Sequence, residues 1–124
     1  TLDEDTIVRS LLVLSDHRVR DALLVCPNGI APAAAHRLWL LLSRAAPTSY
    51  RADPACLLGL SAYLQGNGAL ATAALDVASS ADPAHTLAPL LAGAFDAAIR
   101  PAELEAMLRP LSTRALAELR TDAA

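Results

Sequence analysis

The stretch LLGLSAYLQGNGALATAALDVASSADP, residues 57–83, is the part of the sequence that decides the fold. Two apolar runs with helical spacing flank the polar turn QGNG, and Pro83 closes the second run. This is the anatomy of one helix–turn–helix unit of the tetratricopeptide type, which we assign to residues 54–83. Units of this type bind other proteins and perform no chemistry themselves.

Small residues in this stretch predict a close contact between its two helices. Ala71 and Ala78 are expected to be buried against Leu58 and Gly59 of the preceding helix. Small side chains let two helices approach at the close end of the usual range of about 8–10 Å between their axes. The two helices of the hairpin are therefore predicted to pack closely against each other.

Helical periodicity extends over the rest of the chain, and no alternating run of β-branched residues predicts a strand. Residues 48–52 are expected to form a loop. The first three predicted helices are 1–14, a second that is capped by Ser15 and stopped by the turn at 27–29, and a third from Pro32 to Pro47. The fourth begins at Asp53 and Pro54 and runs to about 65, the fifth covers 69–81, and the sixth is capped by Thr86 and ended by Arg100 and Pro101. A short seventh helix runs through Leu111, and a last one, capped by Ser112 or Thr113, runs through Leu119. We thus predict one all-α domain over residues 1–124, built from stacked antiparallel tetratricopeptide-like hairpins with seven or eight short helices.

The composition narrows the range of partners. Ten basic and 13 acidic residues give a net charge of −3, and no basic stripe is visible. Nucleic-acid binding needs a clustered basic face, so we expect no nucleic-acid partner. No unbroken apolar run is longer than residues 38–42, far short of the roughly 20 residues of a membrane-spanning helix, so we expect no membrane insertion.

An apolar surface patch is expected, because 54% of the residues are hydrophobic and only 19% are charged. A domain of 124 residues leaves much of its surface in water, and a large apolar patch usually marks an interface. The terminal helices are the expected contributors, around Ile7 and Leu11 at one end and Leu116 and Leu119 at the other.

Both cysteines, Cys26 and Cys56, lie inside apolar helical runs. We interpret them as two reduced, buried thiols of a cytoplasmic protein, since no signal peptide is visible; a disulfide between them is the alternative. The chain opens on Thr1 without a methionine, and we interpret it as a fragment or a processed product.

No residue pattern predicts catalysis, a cofactor or a metal. The histidines His17, His36 and His85 are far apart and lack metal-ligand spacing, so we expect each at a helix start or on a solvated face. No Gly-Xaa-Ser-Xaa-Gly motif occurs, and the turn at 66–68 is too short for a phosphate-binding loop. We therefore predict that the chain is not an enzyme.

Four arginines of the second and third helices raise a binding hypothesis: Arg18, Arg20, Arg37 and Arg44. If two short helices brought some of them together, the cluster would suit an acidic tail of a partner. The alternative is that Asp16 and Asp21 pair with the first two on a wet surface, where such pairs are weak.

Three segments together resemble a known family: HRVRDALL at 17–24, the run at 37–83 and the run at 86–108. They are similar to the C-terminal helical part of the actinobacterial domain of unknown function 4192 family. The strongest marks are Trp39, which we interpret as a core anchor, Ala46 with Pro47, the turn and helix at 66–78, and Asp82 with Pro83. The resemblance implies that an α/β part precedes these helices, and it implies no catalytic residue, because the family has no established activity.

Two functions remain open. The first is a helical interaction or structural module that binds a protein partner, its own N-terminal domain or a second copy. The second is an accessory or oligomerisation part of an enzyme or ligand-binding protein whose α/β half is outside this chain. A groove lined by the first helix of the Leu58 hairpin would favour the first function.

Overall fold

The computed structural model describes residues 2–25 and 30–123, which form seven α-helices and no strand. In chain order the helices are α1 (Glu4–Leu14), α2 (His17–Ala22), α3 (Pro32–Ala45), α4 (Thr48–Leu64), α5 (Gly68–Ala81), α6 (Leu87–Asp96) and α7 (Pro101–Ala123). The predicted all-α class is confirmed for these residues. The predicted stacking of successive tetratricopeptide-like hairpins is not confirmed, because α7 packs mainly on α2.

Helix α4 is the centre of the domain. It packs between α3 and α5 and also contacts α1, α6 and α7. From Ala52 to Leu60 every residue except Asp53 is buried. A helix that is apolar on all sides is stable only when neighbours cover it all round, which explains its central position.

The α4–α5 contact is as close as the small residues predict. A Cβ placed on Gly59 would lie 3.2 Å from the carbonyl oxygen of Ala71 and 3.1 Å from Cδ2 of Leu75. Ala71 and Ala78 are fully buried. The predicted burial of these two alanines in the hairpin is confirmed.

Two helices end in the same type of turn. The N–H of Gly66 donates to the Tyr63 carbonyl at 3.0 Å, and Gly66 has a φ of +84°. At the end of α6, the N–H of Ala98 donates to the Phe95 carbonyl at 3.0 Å, and Ala98 has a φ of +53°. In both cases the next N–H reaches back five residues to a carbonyl of the last turn, as in a Schellman motif. After α6, alanine thus occupies the position where this turn prefers glycine.

The start of α4 differs from the prediction. Residues 48–52 are helical, and Asp53 and Pro54 lie inside α4. The prediction was wrong because an Asp-Pro pair is a strong local signal for a helix start. Here Pro54 is buried, and the packing around α4 offsets the hydrogen bond that the proline removes.

The C-terminal region also differs, because one helix of 23 residues replaces the two short ones predicted. α7 continues through Pro110, and Ser112 is buried and does not cap a helix. Its hydroxyl donates to the Asp21 carbonyl at 2.7 Å and accepts from the Val25 N–H at 3.1 Å. Packing against α2 therefore overrides the local tendency of Pro110 and Ser112 to break the helix.

Two predicted caps were assigned to the wrong residue. The Asp16 carboxylate, and not Ser15, accepts the N–H of Arg18 at 3.0 Å, because the Ser15 N–H is still bonded to the last turn of α1. The Thr86 side chain makes no capping bond. The Nδ1 atom of His85 accepts the N–H of Ala88 at 3.2 Å instead.

The terminal helices do expose apolar surface, but not at the residues predicted. Leu11 is buried, and Ile7, Leu116 and Leu119 are half-buried. On α1, Ile7, Leu11 and Leu14 are spaced four and three residues apart and face the core. The residues between them therefore lie on the sides of the helix that face solvent. The large apolar side chains exposed on these two helices are Val8, Leu12, Val13, Met107 and Leu111.

Candidate binding cleft

An apolar cleft opens between α1, α2 and α3. Its volume is about 520 Å³, within the range of pockets that bind ligands. Apolar side chains form most of its wall, among them Val13, Leu14, Val19, Leu23, Leu38 and Trp39. The cleft is therefore a preformed apolar concavity of a size that suits a binding partner.

Helical spacing explains how the two walls are built. On α1, Thr6, Ser10 and Val13 are separated by one turn each and so lie on one face. On α3, Leu38 and Leu42 share a face in the same way, and Val19 of α2 also lines the cleft. Trp39 is buried as the predicted core anchor, and it also lines the cleft.

Polar groups occur at the α1 edge of the cleft and are already engaged locally. The Ser10 hydroxyl donates to the Thr6 carbonyl at 2.8 Å. Arg9 pairs with Asp5 at 3.1 Å, and both side chains are almost fully exposed. The cleft thus presents an apolar surface, and Arg9 is the cation at its α1 edge. Exposed ion pairs such as the one between Arg9 and Asp5 are weak.

The four arginines of the binding hypothesis do not form one cluster. Arg18 pairs with Asp16 at 3.2 Å and with Asp122, which supports the alternative of paired charges. Arg20 is also paired with Asp21, at 3.0 Å, but this pair is not on a wet surface, because Arg20 is only 5% exposed.

Arg37 and Arg44 have a different environment. Both are exposed on the outer side of α3, where they line a shallow depression with Leu40 and Leu41. Within the described residues neither guanidinium has an ion-pair partner. Two arginines of the original four therefore remain available to a partner.

A buried polar network ties α2, α4 and the α5–α6 connection together. Oδ1 of Asp53 accepts hydrogen bonds from His85 Nε2 at 2.8 Å and from Arg20 Nη1 at 3.3 Å. Burial by itself would raise the pKa of Asp53, but the hydrogen bonds from His85 and Arg20 outweigh it and lower that pKa below its usual value. Asp53 is therefore held as a carboxylate by its two donors.

The tautomer of His85 follows from its partners. Because Nδ1 accepts the Ala88 N–H, the ring proton is on Nε2 and points to Asp53. Sγ of Cys56 lies 3.7 Å from the same Nδ1. Of the two expected positions, a helix start and a solvated face, His85 takes the first, because it caps the start of α6, and its side chain is buried.

The spatial arrangement resembles a catalytic triad, in which Cys56 would be the nucleophile, His85 the base and Asp53 the acid. The thiol, however, lacks the properties of a nucleophile. Cys56 is 0% exposed, and burial, assisted by the nearby Asp53 carboxylate, raises the pKa of its thiol to about 12. A reactive cysteine needs a lowered pKa and access to solvent. Sequence reasoning missed this network because its members are 29 and 32 residues apart and local patterns do not join them.

Cys56 and the other two histidines lie at separate places in the fold. The buried free thiol predicted for Cys56 is confirmed, whereas Cys26 lies outside the described residues. His17 is exposed at the start of α2, and His36 Nδ1 is 2.9 Å from the Ser61 hydroxyl. Over residues 2–25 and 30–123, no group of three or more His, Cys, Asp or Glu side chains is arranged to hold a metal ion, and none of the helices has the length and apolarity to cross a membrane.

The geometry defines an all-α domain with an apolar cleft on one side and a closed polar network in its interior. Residues 1–102 match the family described as a domain of unknown function, DUF4192, and the chain belongs to that family. The match covers α1 to α6 and ends in the first turn of α7. No curated protein and no solved structure matches the chain.

Proposed function

We propose that this domain is a protein-interaction module that binds its partner in the cleft between α1, α2 and α3. The observation that carries the proposal is the apolar cleft of about 520 Å³ bounded by two helices. An apolar groove lined by helices suits a helix that inserts its apolar face.

Exposed side chains at the edges of the cleft support the proposal. Val13 on the α1 side is 54% exposed, and Ile30 before α3 is 45% exposed. Apolar groups at the edge of an apolar cleft gain free energy when a partner removes them from water, at about 25 cal/mol per Å² covered. A partner in the cleft would cover both edges and the floor between them.

We also infer that the domain itself performs no chemistry and acts in the cytoplasm. The network of Cys56, His85 and Asp53 then has a structural role, which the closed position and raised pKa of the thiol support. A buried free thiol is typical of reducing compartments, which supports the cytoplasmic location.

Site-specific photocrosslinking tests the proposal. A photoreactive amino acid is placed at Val13 of the native protein in its own cells, and at Val77 on α5 as the matched control, because Val77 is 42% exposed and lies outside the cleft. We expect a protein adduct from position 13 and none from position 77. Equal adducts from both positions, or none from position 13, would contradict the proposal.

The same experiment separates the two functions that the sequence leaves open. An adduct between two chains supports an interaction module. An adduct within one longer chain supports a helical part that packs against its own neighbouring domain. The mass of the crosslinked product distinguishes them.

A further inference from the structure

We propose that the occupant of the cleft is an acidic amphipathic helix, with its apolar face in the cleft and its carboxylates along the α3 edge. This inference rests on the proposed function above and adds the chemistry of the partner. The evidence for it is that the charges along the α3 edge of the cleft are positive, whereas the net charge of the whole chain is negative.

Helix α3 is a basic surface within an acidic protein. The chain has a net charge of −3, yet α3 contains two arginines and no acidic residue. Arg37 and Arg44 are seven residues apart, so they lie on one side of α3 and are separated by about 10 Å along its axis. Because no ion pair in the described residues engages them, their charge is available to a partner.

The basic surface is continuous with the cleft. Leu38 lines the cleft, and Leu41 lines the depression between the two arginines. Residues three apart on a helix are surface neighbours, so the apolar surface extends from the cleft over Leu38 and Leu41 to the arginines. A helix in the cleft would thus meet apolar groups first and guanidinium groups at its side.

The α1 edge adds a third cation in an exchangeable pair. Among the residues that the structure describes, Arg9 is bonded only to the exposed Asp5, and exposed pairs of this type contribute little. The acids Asp3, Glu4 and Asp5 are confined to the first turn of α1 and its cap, at one end of that wall. The carboxylates of a partner are therefore expected opposite α3 and away from the first turn of α1.

This arrangement sets a sequence pattern for the partner. Apolar residues at i, i+3 or i+4 and i+7 would enter the cleft, and acidic residues seven apart on the adjoining side would meet Arg37 and Arg44. Like charges across an interface are strongly disfavoured, so a helix with the same apolar face and a basic flank would be rejected.

Trp39 provides the measurement, because it is the single tryptophan of the chain and lines the cleft. The probes are three synthetic helical peptides of about 14 residues, four turns long, with one shared leucine face and a flank of Glu, Gln or Lys. Titration of the chain with each peptide, followed by Trp39 fluorescence, gives the three affinities. We expect the Glu peptide to bind roughly tenfold more tightly than the Gln peptide, and the Lys peptide to bind most weakly.

Charge reversal checks the assignment to α3. In the double variant Arg37→Glu, Arg44→Glu the order of the three peptides should invert. The matched control is Arg114→Glu, Arg120→Glu on α7, which changes the same charge on another exposed surface and should leave the order unchanged. Higher salt should weaken the Glu peptide and not the Gln peptide.

The outcomes separate this inference from the proposed function. Equal binding of all three peptides with a change in Trp39 fluorescence would overturn the acidic partner and leave the cleft as a binding site. No change in Trp39 fluorescence with any peptide would overturn the proposal that a helix occupies the cleft. The crosslinking from Val13 then tests independently whether the cleft is a binding site. Self-association of the chain that shifts Trp39 emission would overturn the inference in favour of a second copy.

Discussion

The Nε2 atom of His85 donates a hydrogen bond of 2.8 Å to Oδ1 of Asp53, across 32 residues of sequence. The same carboxylate accepts from Arg20, so one oxygen joins α2, α4 and the segment before α6. Because Arg20 is buried, its charge needs this partner. Three residues, Asp53, His85 and Arg20, therefore hold three elements together in the interior of the domain.

Replacing Asp53 by Asn tests this role. Asp53→Asn removes one of the two counter-charges of the buried Arg20, since Asp21 remains. Breaking a buried pair costs about 3–5 kcal/mol, and we expect the lower end of that range in the free energy of unfolding by urea. Asp5→Asn, which breaks an exposed pair, is the control and should change little. A similar small effect at both positions would contradict the role of Asp53.

The contribution of Asp53 should also depend on pH. Its pKa is lowered in the folded state, so the unfolded state binds its proton first as the pH falls. The stability that Asp53 adds is therefore complete above its unfolded pKa of about 3.9 and is lost as the pH falls through the folded pKa. The difference between the native chain and Asp53→Asn should be constant from pH 6 to 5 by urea titration and should narrow below about pH 4. A difference that widens on acidification would contradict the lowered pKa.

The thiol of Cys56 should be inert in the folded protein. It is fully buried and its pKa is raised to about 12, so thiol reagents at pH 8 meet neither an accessible group nor a thiolate. A Cys26→Ser variant isolates this one thiol for labelling, followed by mass spectrometry. We expect labelling only after denaturant is added. Rapid labelling of the native variant would show a reactive cysteine and reopen the possibility of catalysis.

Small residues in the α4–α5 contact should tolerate no enlargement. Ala71 is fully buried and its carbonyl lies at the backbone of α4, so Ala71→Leu has no space for the added atoms. Overpacking of this kind costs about 1–3 kcal/mol, which a lower melting temperature would reveal. Thr72→Leu at the exposed neighbouring position is the control and should melt as the native chain does. Unchanged melting of Ala71→Leu would mean that the two helices are not packed as described.

The two turns with the same geometry, at Gly66 and Ala98, predict opposite effects of substitution on the free energy of unfolding. Ala98 has a φ of +53°, a conformation that glycine adopts without the steric cost of a Cβ. Ala98→Gly should therefore raise the free energy of unfolding by roughly 0.5–1 kcal/mol, whereas Gly66→Ala should lower it by about 1 kcal/mol. Denaturant unfolding of both variants measures the pair. Effects of the same sign at the two positions would contradict the shared turn geometry.

Local signals were sufficient where the fold depends on local structure. The glycine at 66 and the small residues of α4 and α5 predicted the hairpin, because the turn and the close contact each require them. Local signals failed at Pro54 and Pro110, where helices continue through proline. At both places contacts with distant elements outweigh the cost of the proline, and a sequence read in short windows does not contain those contacts.

The cleft could not be predicted for a related reason. Val13, Leu23 and Leu38 have the spacing of core residues, yet in the structure they line an open cleft between α1, α2 and α3. The sequence did indicate that the terminal helices would expose apolar surface. Which residues those are depends on which side of α1 meets α4, and the periodicity alone does not specify it.

Hydrogen–deuterium exchange of the native protein, with and without the partner identified by crosslinking from Val13, tests the binding cleft most directly. Amides of a covered helix exchange more slowly, and the method reports each helix separately. We predict slower exchange in α1 (Glu4–Leu14) and α3 (Pro32–Ala45) in the complex, and unchanged exchange in α5 (Gly68–Ala81). Protection confined to α5, or no protection of α1 and α3, would contradict binding in the cleft.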